Sequence, residues 1–267
     1  MLGSAVLHAS WNALLRAGGD RLNAITVMSA VSALAGALAI PFLPQPASAS
    51  WPFLAFSAVA ECVYCAALAK AYDAGLLAEV YPIARGSSPM LVTLGALALA
   101  HERLAAPALV GIALVSGGIV GVAFGRGRPN RMATLTALGT GVMIACYTVS
   151  DGLGARASTA PLAYTCWMFI VQGALMTLFY AGIRRRSPVA RLDWDTAKNV
   201  IGGVLSLAAY AVVVWALSRA PMGQVSALRE TGILFAMIIG FLFLKERPSG
   251  RQVVAAAVIA AGAAILA

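Results

Sequence analysis

Ten apolar stretches, set one after another with little between them, constrain this chain more than any other feature of its sequence. They run roughly over 1–17, 24–43, 51–72, 77–100, 104–124, 132–154, 160–183, 196–218, 222–244 and 250–267. A helix that crosses a bilayer takes about 20 residues. Lipid satisfies no backbone N–H or C=O, so each stretch has to be helical. The punctuation agrees: Pro41, Pro44 and Pro46 close the second stretch, Gly125 to Pro129 divide the fifth from the sixth, and Arg184 to Pro188 follow the seventh. Trp51 and Trp194 stand at the starts of stretches, where interfacial aromatics belong. The fold class is an all-α integral membrane protein with ten transmembrane helices.

Composition excludes the main alternatives. The chain has 267 residues, 61% hydrophobic and only 11% charged, against about 25% charged in soluble domains. No soluble fold of this size hides so much apolar surface, and ten helices leave no room for a separate soluble domain. The formal charge of +9 therefore reads as a topology signal, and not as the footprint of a nucleic-acid partner. Arg16, Arg21, Lys70, Arg126, Arg128, Arg131, Arg184, Arg185, Arg186, Arg191, Lys198, Lys245, Arg247 and Arg251 fall in alternate loops; Arg103, Arg156 and Arg219 fall in the others. The positive-inside rule places the first set in the cytoplasm and both termini outside the inner membrane. The four cysteines lie in apolar runs and read as small core residues, including the C-x-x-C pair Cys62 and Cys65, which lacks a strand context. No cofactor and no metal site is expected.

The two halves of the chain echo each other. Arg85 and Arg229, Glu102 and Glu246, Arg103 and Arg247, and Gly118 and Gly262 are each 144 residues apart, while a shift of 136 pairs Trp11 with Tyr147. Two five-helix repeats follow. Five is odd, so the second copy enters the bilayer from the opposite face, an arrangement that recurs in secondary transporters with a substrate site between the repeats.

These features resemble the drug/metabolite transporter superfamily, and within it the EamA family. The matching segments are Leu97 to Leu104 (LALAHERL) followed by Gly111 to Val122, and Phe241 to Arg247 (FLFLKER) followed by Val253 to Leu266. His8 to Asn12 (HASWN) and Val80 to Gly86 (VYPIARG) also resemble an EamA subgroup associated with phosphonate utilisation. The resemblance implies EamA-like repeats at 1–126 and 127–267 and a secondary transporter, often an exporter of metabolites. Two departures stand out. Many family members place their termini in the cytoplasm, whereas the loop charges here favour the reverse. The related small multidrug resistance proteins carry an essential carboxylate in their first helix, and this first span has none.

Charged residues inside spans each cost about 2.5–3.5 kcal/mol to insert, so each needs a reason. Arg85 and Arg229, the repeat-related pair, would form a clamp for a carboxylate or phosphate if they share a cavity. The plainer alternative is neutralisation by Glu61, Glu79, Glu230 or Asp151. Pro82 and Pro89 interrupt the fourth span and free the carbonyls of Ala78 and Arg85, suiting a kinked gating helix; the ninth span has no proline. Glu61 either carries a proton through the cycle or is a structural partner of an arginine. Trp11, Asn12, Tyr64, Tyr81, Tyr147, Tyr210 and Trp215 are candidate cavity linings, with packing the alternative for each ring. Gly117, Gly121 and Gly125 share a face with four-residue spacing, matched by Ala256, Ala260 and Ala264, and suit close helix packing. Glu102 with Arg103, and Glu246 with Arg247, suggest helix-end ion pairs.

The expected function is secondary active transport, with export favoured, of a small anionic or zwitterionic metabolite, held by Arg85, Arg229, Glu230 and Glu61. The expected partners are that metabolite, the lipid bilayer and a coupling proton; nucleic acid is not expected, and the chain acts as a monomer or weak homodimer. A flippase for a lipid-linked phosphate or sugar is the second reading, and a non-transporting sensor or assembly subunit the third. An enzyme is not expected: His8 and His101 are the only histidines, and no spanning segment holds an Asp-rich or H-E-x-x-H motif.

Overall fold

A computed structural model describes residues 1–16, 20–73, 77–124, 131–185, 194–244 and 248–267. Gly125 to Pro129, Arg186, Arg191, Lys245, Glu246 and Arg247 lie outside the described residues, as do the side chains of Arg16, Lys70, Glu79 and Trp194. Among the described residues the chain is helical, without strands: α1 (Leu2–Arg16), α2 (Arg21–Ala39), α3 (Trp51–Asp73), α4 (Leu77–Leu99), α5 (Ala106–Phe124), α6 (Arg131–Ser158), α7 (Pro161–Arg184), α8 (Trp194–Leu217), α9 (Met222–Glu230), α10 (Gly232–Leu244) and α11 (Gly250–Leu266). Each expected stretch is helical. Five segments, Arg21–Phe42, Ser48–Leu68, Arg131–Ser158, Pro161–Arg184 and Thr196–Leu217, are long and apolar enough to cross a membrane individually. Large apolar side chains such as Leu34, Leu38, Phe56, Leu94 and Leu178 face outward, as a lipid-facing surface requires.

The ninth stretch departs from expectation. It is broken at Thr231 into α9 and α10, although it holds no proline. Thr231 donates its Oγ1 proton to the carbonyl of Leu228 at 2.7 Å, and its N–H closes a tight turn on Leu228 at 3.3 Å. The backbone carbonyl of Ala5 in α1 comes within 3.1 Å of where a Cβ on Gly232 would lie, so a residue with a side chain would push α1 off the break. α4, by contrast, stays helical through Pro82 and Pro89. Ser88 donates its hydroxyl to the Arg85 carbonyl at 3.1 Å, so that carbonyl, freed by Pro89, is satisfied within the helix and does not need the lumen.

Packing follows an exchange rule. The principal neighbours are α1 with α8 and α3 with α6, α2 with α8 and α3 with α7, α4 with α6 and α1 with α9–α10, together with α2 on α7, α4 on α9, and α5 on α11. Swapping α1 with α6, α2 with α7, α3 with α8, α4 with α9–α10, and α5 with α11 leaves this pattern unchanged. The packing of α4 on α5 is the exception, being closer among the described residues than its counterpart, α11 on α9–α10.

The glycine stripe is a correction. A Cβ added to Gly117 or Gly121 would meet nothing within 4 Å, so these two glycines face outward and pack against no helix among the described residues. The close approach between α5 and α11 runs through other small residues. A Cβ on Gly262 would lie 2.8 Å from the Gly111 carbonyl oxygen, and one on Gly118 would lie 3.2 Å from that of Ala255. Four-residue spacing repeats on more than one helix face, and it does not say which face is inward.

Candidate functional site

The buried charges converge where α1, α3, α4, α6 and α9 meet. Arg85 is 4%, Arg229 2% and Glu230 6% exposed. Glu230 serves both arginines. Arg85 Nη1 donates to Glu230 Oε1 at 3.1 Å and to Oε2 at 3.3 Å, while Arg229 Nε donates to Oε1 at 3.2 Å. The break after Glu230 explains this geometry: α9 ends there, so consecutive residues reach one another at a helix C-terminus, where the cationic Arg229 is also favoured by the helix dipole. Arg85 stacks over the Tyr81 ring, 5.3 Å from its centre.

The guanidinium pairing is incomplete. Arg85 Nε and Arg229 Nη2 are buried without a hydrogen-bond partner among the described residues, and so is Glu61 Oε2. All three residues line one cavity, of about 70 Å³ to a water-sized molecule. Space for one water takes roughly 10–15 Å³ on this measure, so the cavity takes several waters or a small polar group. Trp11, Tyr64 and Tyr147 line it as well. Tyr64, Tyr147, Tyr210 and Phe169 form a continuous aromatic wall, with successive ring centres 5.8, 6.4 and 5.9 Å apart. The lining continues to Leu15, Ile25 and Leu68, near the ends of α1, α2 and α3 that adjoin the basic loops.

Of the sequence candidates, Arg85, Arg229, Glu61, Tyr64, Trp11 and Tyr147 thus come together at the cavity. Glu230 and Tyr81 stand behind it, held against the arginines. Asn12 turns back along its own helix and donates to the His8 carbonyl at 2.8 Å. Trp215 is 54% exposed and lies under Arg219, 4.7 Å from its ring centre; it faces away from the cavity. Pro82 and Pro89 are buried within α4.

Two functional candidates were not among the sequence expectations for the cavity. His8 lines it, and its two ring nitrogens face donors: Arg85 Nη2 lies 2.8 Å from Nε2, and Trp11 Nε1 donates to Nδ1 at 3.2 Å. A neutral imidazole offers only one lone pair, so these donors compete for it. The one signal in the sequence was that His8 is an ionisable group inside a span. Gln172 of α7 is the other; its Nε2 donates to Ser29 Oγ at 3.3 Å and its Oε1 is buried without a partner among the described residues. Asp151, 0% exposed, lies beside the wall and accepts from Tyr164 at 3.1 Å and from the Tyr210 hydroxyl.

At the end of the bundle away from the basic loops the helices are tied together. Glu102 pairs with Arg156 rather than with its neighbour Arg103, and it accepts the N–H of Met222, the first residue of α9, at 2.9 Å. Arg156 also donates to the carbonyls of Leu217 and Ala220, each at 3.0 Å. Neighbours on a turn point apart, whereas the end of α6 brings Arg156 across to Glu102.

Comparison with known proteins places this arrangement. No curated protein matches the chain. Among 29 matching chains of solved structures, one crystal structure of a protein is 20% identical and superposes with a TM-score of 0.79 over 98% of this chain and 93% of that chain; the likeness is one of fold. The family model that matches is that of the EamA-like transporter family, over residues 131–267, the part that holds Tyr147, Asp151, Arg229 and Glu230.

Proposed function

Because the chain belongs to the EamA-like transporter family, we propose that this membrane transporter is a secondary carrier, and an exporter, of a small zwitterionic metabolite across the cytoplasmic membrane. One observation carries the reading. Two guanidinium nitrogens and one carboxyl oxygen, on Arg85, Arg229 and Glu61, are buried without partners among the described residues, around one shared cavity. An unsatisfied buried polar group costs about 1–3 kcal/mol, and more when charged. A ligand that brings an acidic group to the arginines and a protonated amine to Glu61 removes all three costs at once.

Glu230 refines the expectation of an anion clamp. It already neutralises one unit of the arginines' charge, so a net-neutral substrate suits the site better than a purely anionic one. The exchange symmetry of the helix neighbours supports two repeats meeting at this cavity, with α4 and α9 as the moving gates. The tied end at Glu102 and Arg156, opposite a lining that runs toward the basic loops, supports alternating access with the far side closed. No nucleotide-binding motif occurs in the sequence, so a gradient drives the cycle.

A thermal-shift screen of the purified protein against amino acids, aminophosphonates, organic phosphates and lipophilic cations tests the reading. Ligand at 100 times its Kd adds about 2.7 kcal/mol of stability. Zwitterions are expected to stabilise the wild type and not Arg229→Gln. Stabilisation by lipophilic cations alone overturns the substrate reading, and stabilisation by nothing in the panel favours a sensor or assembly subunit.

A further inference from the structure

The charges around the cavity do not sum to zero. Arg85 and Arg229 contribute two positive charges, while Glu230, Glu61 and Asp151 contribute three negative ones when all are ionised. Arg85, Arg229, Glu230 and Asp151 are all at least nine-tenths buried, and the outer oxygen of Glu61 is buried too. An uncompensated charge in such surroundings is far more costly than its neutral form. Both arginines are bonded to Glu230, so Glu61 and Asp151 are left with what remains of one positive charge between them. Glu61 of α3 and Asp151 of α6 stand on helices packed against each other, and Tyr210, which lines the cavity together with Glu61, donates to Asp151.

The other titratable groups facing this pair do not change the sum. His8 of α1 lies between two donors, which leaves no acceptor for a second ring proton, so it is neutral. The phenols of Tyr64, Tyr147, Tyr164 and Tyr210 and the thiols of Cys62 and Cys65 are neutral near pH 7.

We propose that Glu61 and Asp151 together form a proton-binding site, which holds a single proton on one or the other carboxyl in the ligand-free protein and serves as the adjustable counter-charge of transport. Asp151 accepts from two phenols, Tyr164 and Tyr210, an arrangement that suits its ionised form. Glu61 has an oxygen with no partner, which suits the protonated form. A coupled pair titrates as a unit, and the proton count follows the charge of the cargo. A net-neutral substrate leaves the one proton in place: its amine occupies Glu61 and the proton sits on Asp151. A cationic substrate releases that proton to the solution the cavity faces, and an anionic one takes up a second proton from it.

The site rests on the transport reading for its purpose but is measured without any substrate. Infrared spectra of protein reconstituted in lipid, taken in H2O and D2O at neutral pH, report the C=O stretch of a neutral carboxylic acid. The wild type is expected to show a band of about one carboxyl. Removing either negative charge balances the remaining four, so the band is expected to vanish in Glu61→Gln and equally in Asp151→Asn. Arg229→Gln, which removes a positive charge, is expected to double it. A wild type with no band overturns the proposal, and so does a band that survives in either amide variant, because burial of Glu61 alone would leave its proton indifferent to Asp151. Gel filtration in detergent checks folding; if Asp151→Asn fails it through loss of its phenol contacts, Glu61→Gln and Arg229→Gln decide the matter. An absent band beside a zwitterion-stabilised protein removes the proton site and leaves the transport reading standing.

Discussion

The crossing of α5 and α11 gives opposite signs for chemically identical substitutions on its two helices. Consider Gly262→Ala. The added methyl would lie 2.8 Å from the Gly111 carbonyl oxygen and 2.9 Å from both Leu114 Cβ and Val115 Cγ2. Ordinary contacts fall near 3.5–4.0 Å, so the helices must part by roughly 0.6–1 Å, and the nearest atom is backbone that cannot rotate aside. Overpacking of this kind costs about 1–3 kcal/mol. Replacing glycine by alanine inside a helix returns about 1 kcal/mol. The net is a loss of up to about 2 kcal/mol. Gly117→Ala and Gly121→Ala meet nothing within 4 Å and keep the propensity gain alone, up to about 1 kcal/mol. For a chain of this size 1 kcal/mol moves Tm by about 2–4 °C. Thermal unfolding in one detergent is therefore expected to place Gly262→Ala below the wild type by several degrees and Gly117→Ala at or slightly above it. If Gly117→Ala is the destabilised one, the helix faces have been assigned the wrong way round and the four-residue stripe does pack inward.

Three further outcomes follow from the site. Arg229→Lys should abolish zwitterion-induced stabilisation while leaving the protein folded, since the donors of an ammonium sit on one nitrogen and cannot reach both Glu230 and the cavity as the separate Nε and Nη2 of the planar guanidinium do; normal ligand stabilisation in this variant would remove Arg229 from the binding role. Glu102→Gln weakens an ion pair and the cap on the Met222 N–H. Cap loss is worth about 0.5–2 kcal/mol, so amide exchange in the turn from Ser218 to Met222 should rise between about twofold and thirtyfold, with exchange at mid-helix α8 unchanged. Tyr210→Phe takes one of two donors from buried Asp151 and should cost about 1–3 kcal/mol, measured as the loss in unfolding free energy; an equal cost for Phe169→Leu would mean that the wall acts by packing alone.

The helices were legible because their cause is local: long apolar runs admit one structure in lipid, and their ends carry Pro, Gly and Arg. The arginine pair was legible for the same reason of cost, since Arg85 and Arg229 stand out inside spans and recur at one shift. What the residues around them do was not. Whether Glu230 or a ligand completes the arginines depends on a break at Thr231 that no proline announces, and the break packs against Ala5, more than two hundred residues away in the chain. Helical periodicity grouped Gly117 with Gly121 correctly, but it could not tell lipid from protein on a helix that is apolar all round. Likewise Trp215 and Tyr210 differ little as letters; their helix turns one toward lipid and the other toward Asp151.

The position of the two interruptions gives the arginines a further meaning. Arg85 and Arg229, 144 residues apart, each precede, by two to four residues, the place where their helix loses regular hydrogen bonding: Ser88 and Pro89 in α4, Thr231 and Gly232 between α9 and α10. The chemistry of the two interruptions differs, yet each carries a serine or threonine hydroxyl that takes up a carbonyl three residues back. A hydroxyl can release that carbonyl at little cost, because the net worth of such a bond is only about 0.5–1.5 kcal/mol. The arginine therefore sits on the segment next to the weakest point of its helix, so a ligand that pulls on the guanidinium acts with leverage on the hinge. On this reasoning Ser88→Ala and Thr231→Val should change the rate of transport more than the ligand's affinity. Counterflow rates and thermal-shift midpoints measured on the same preparations separate the two. Equal and parallel losses in both would show that the hydroxyls only hold the site together and that the hinges lie elsewhere.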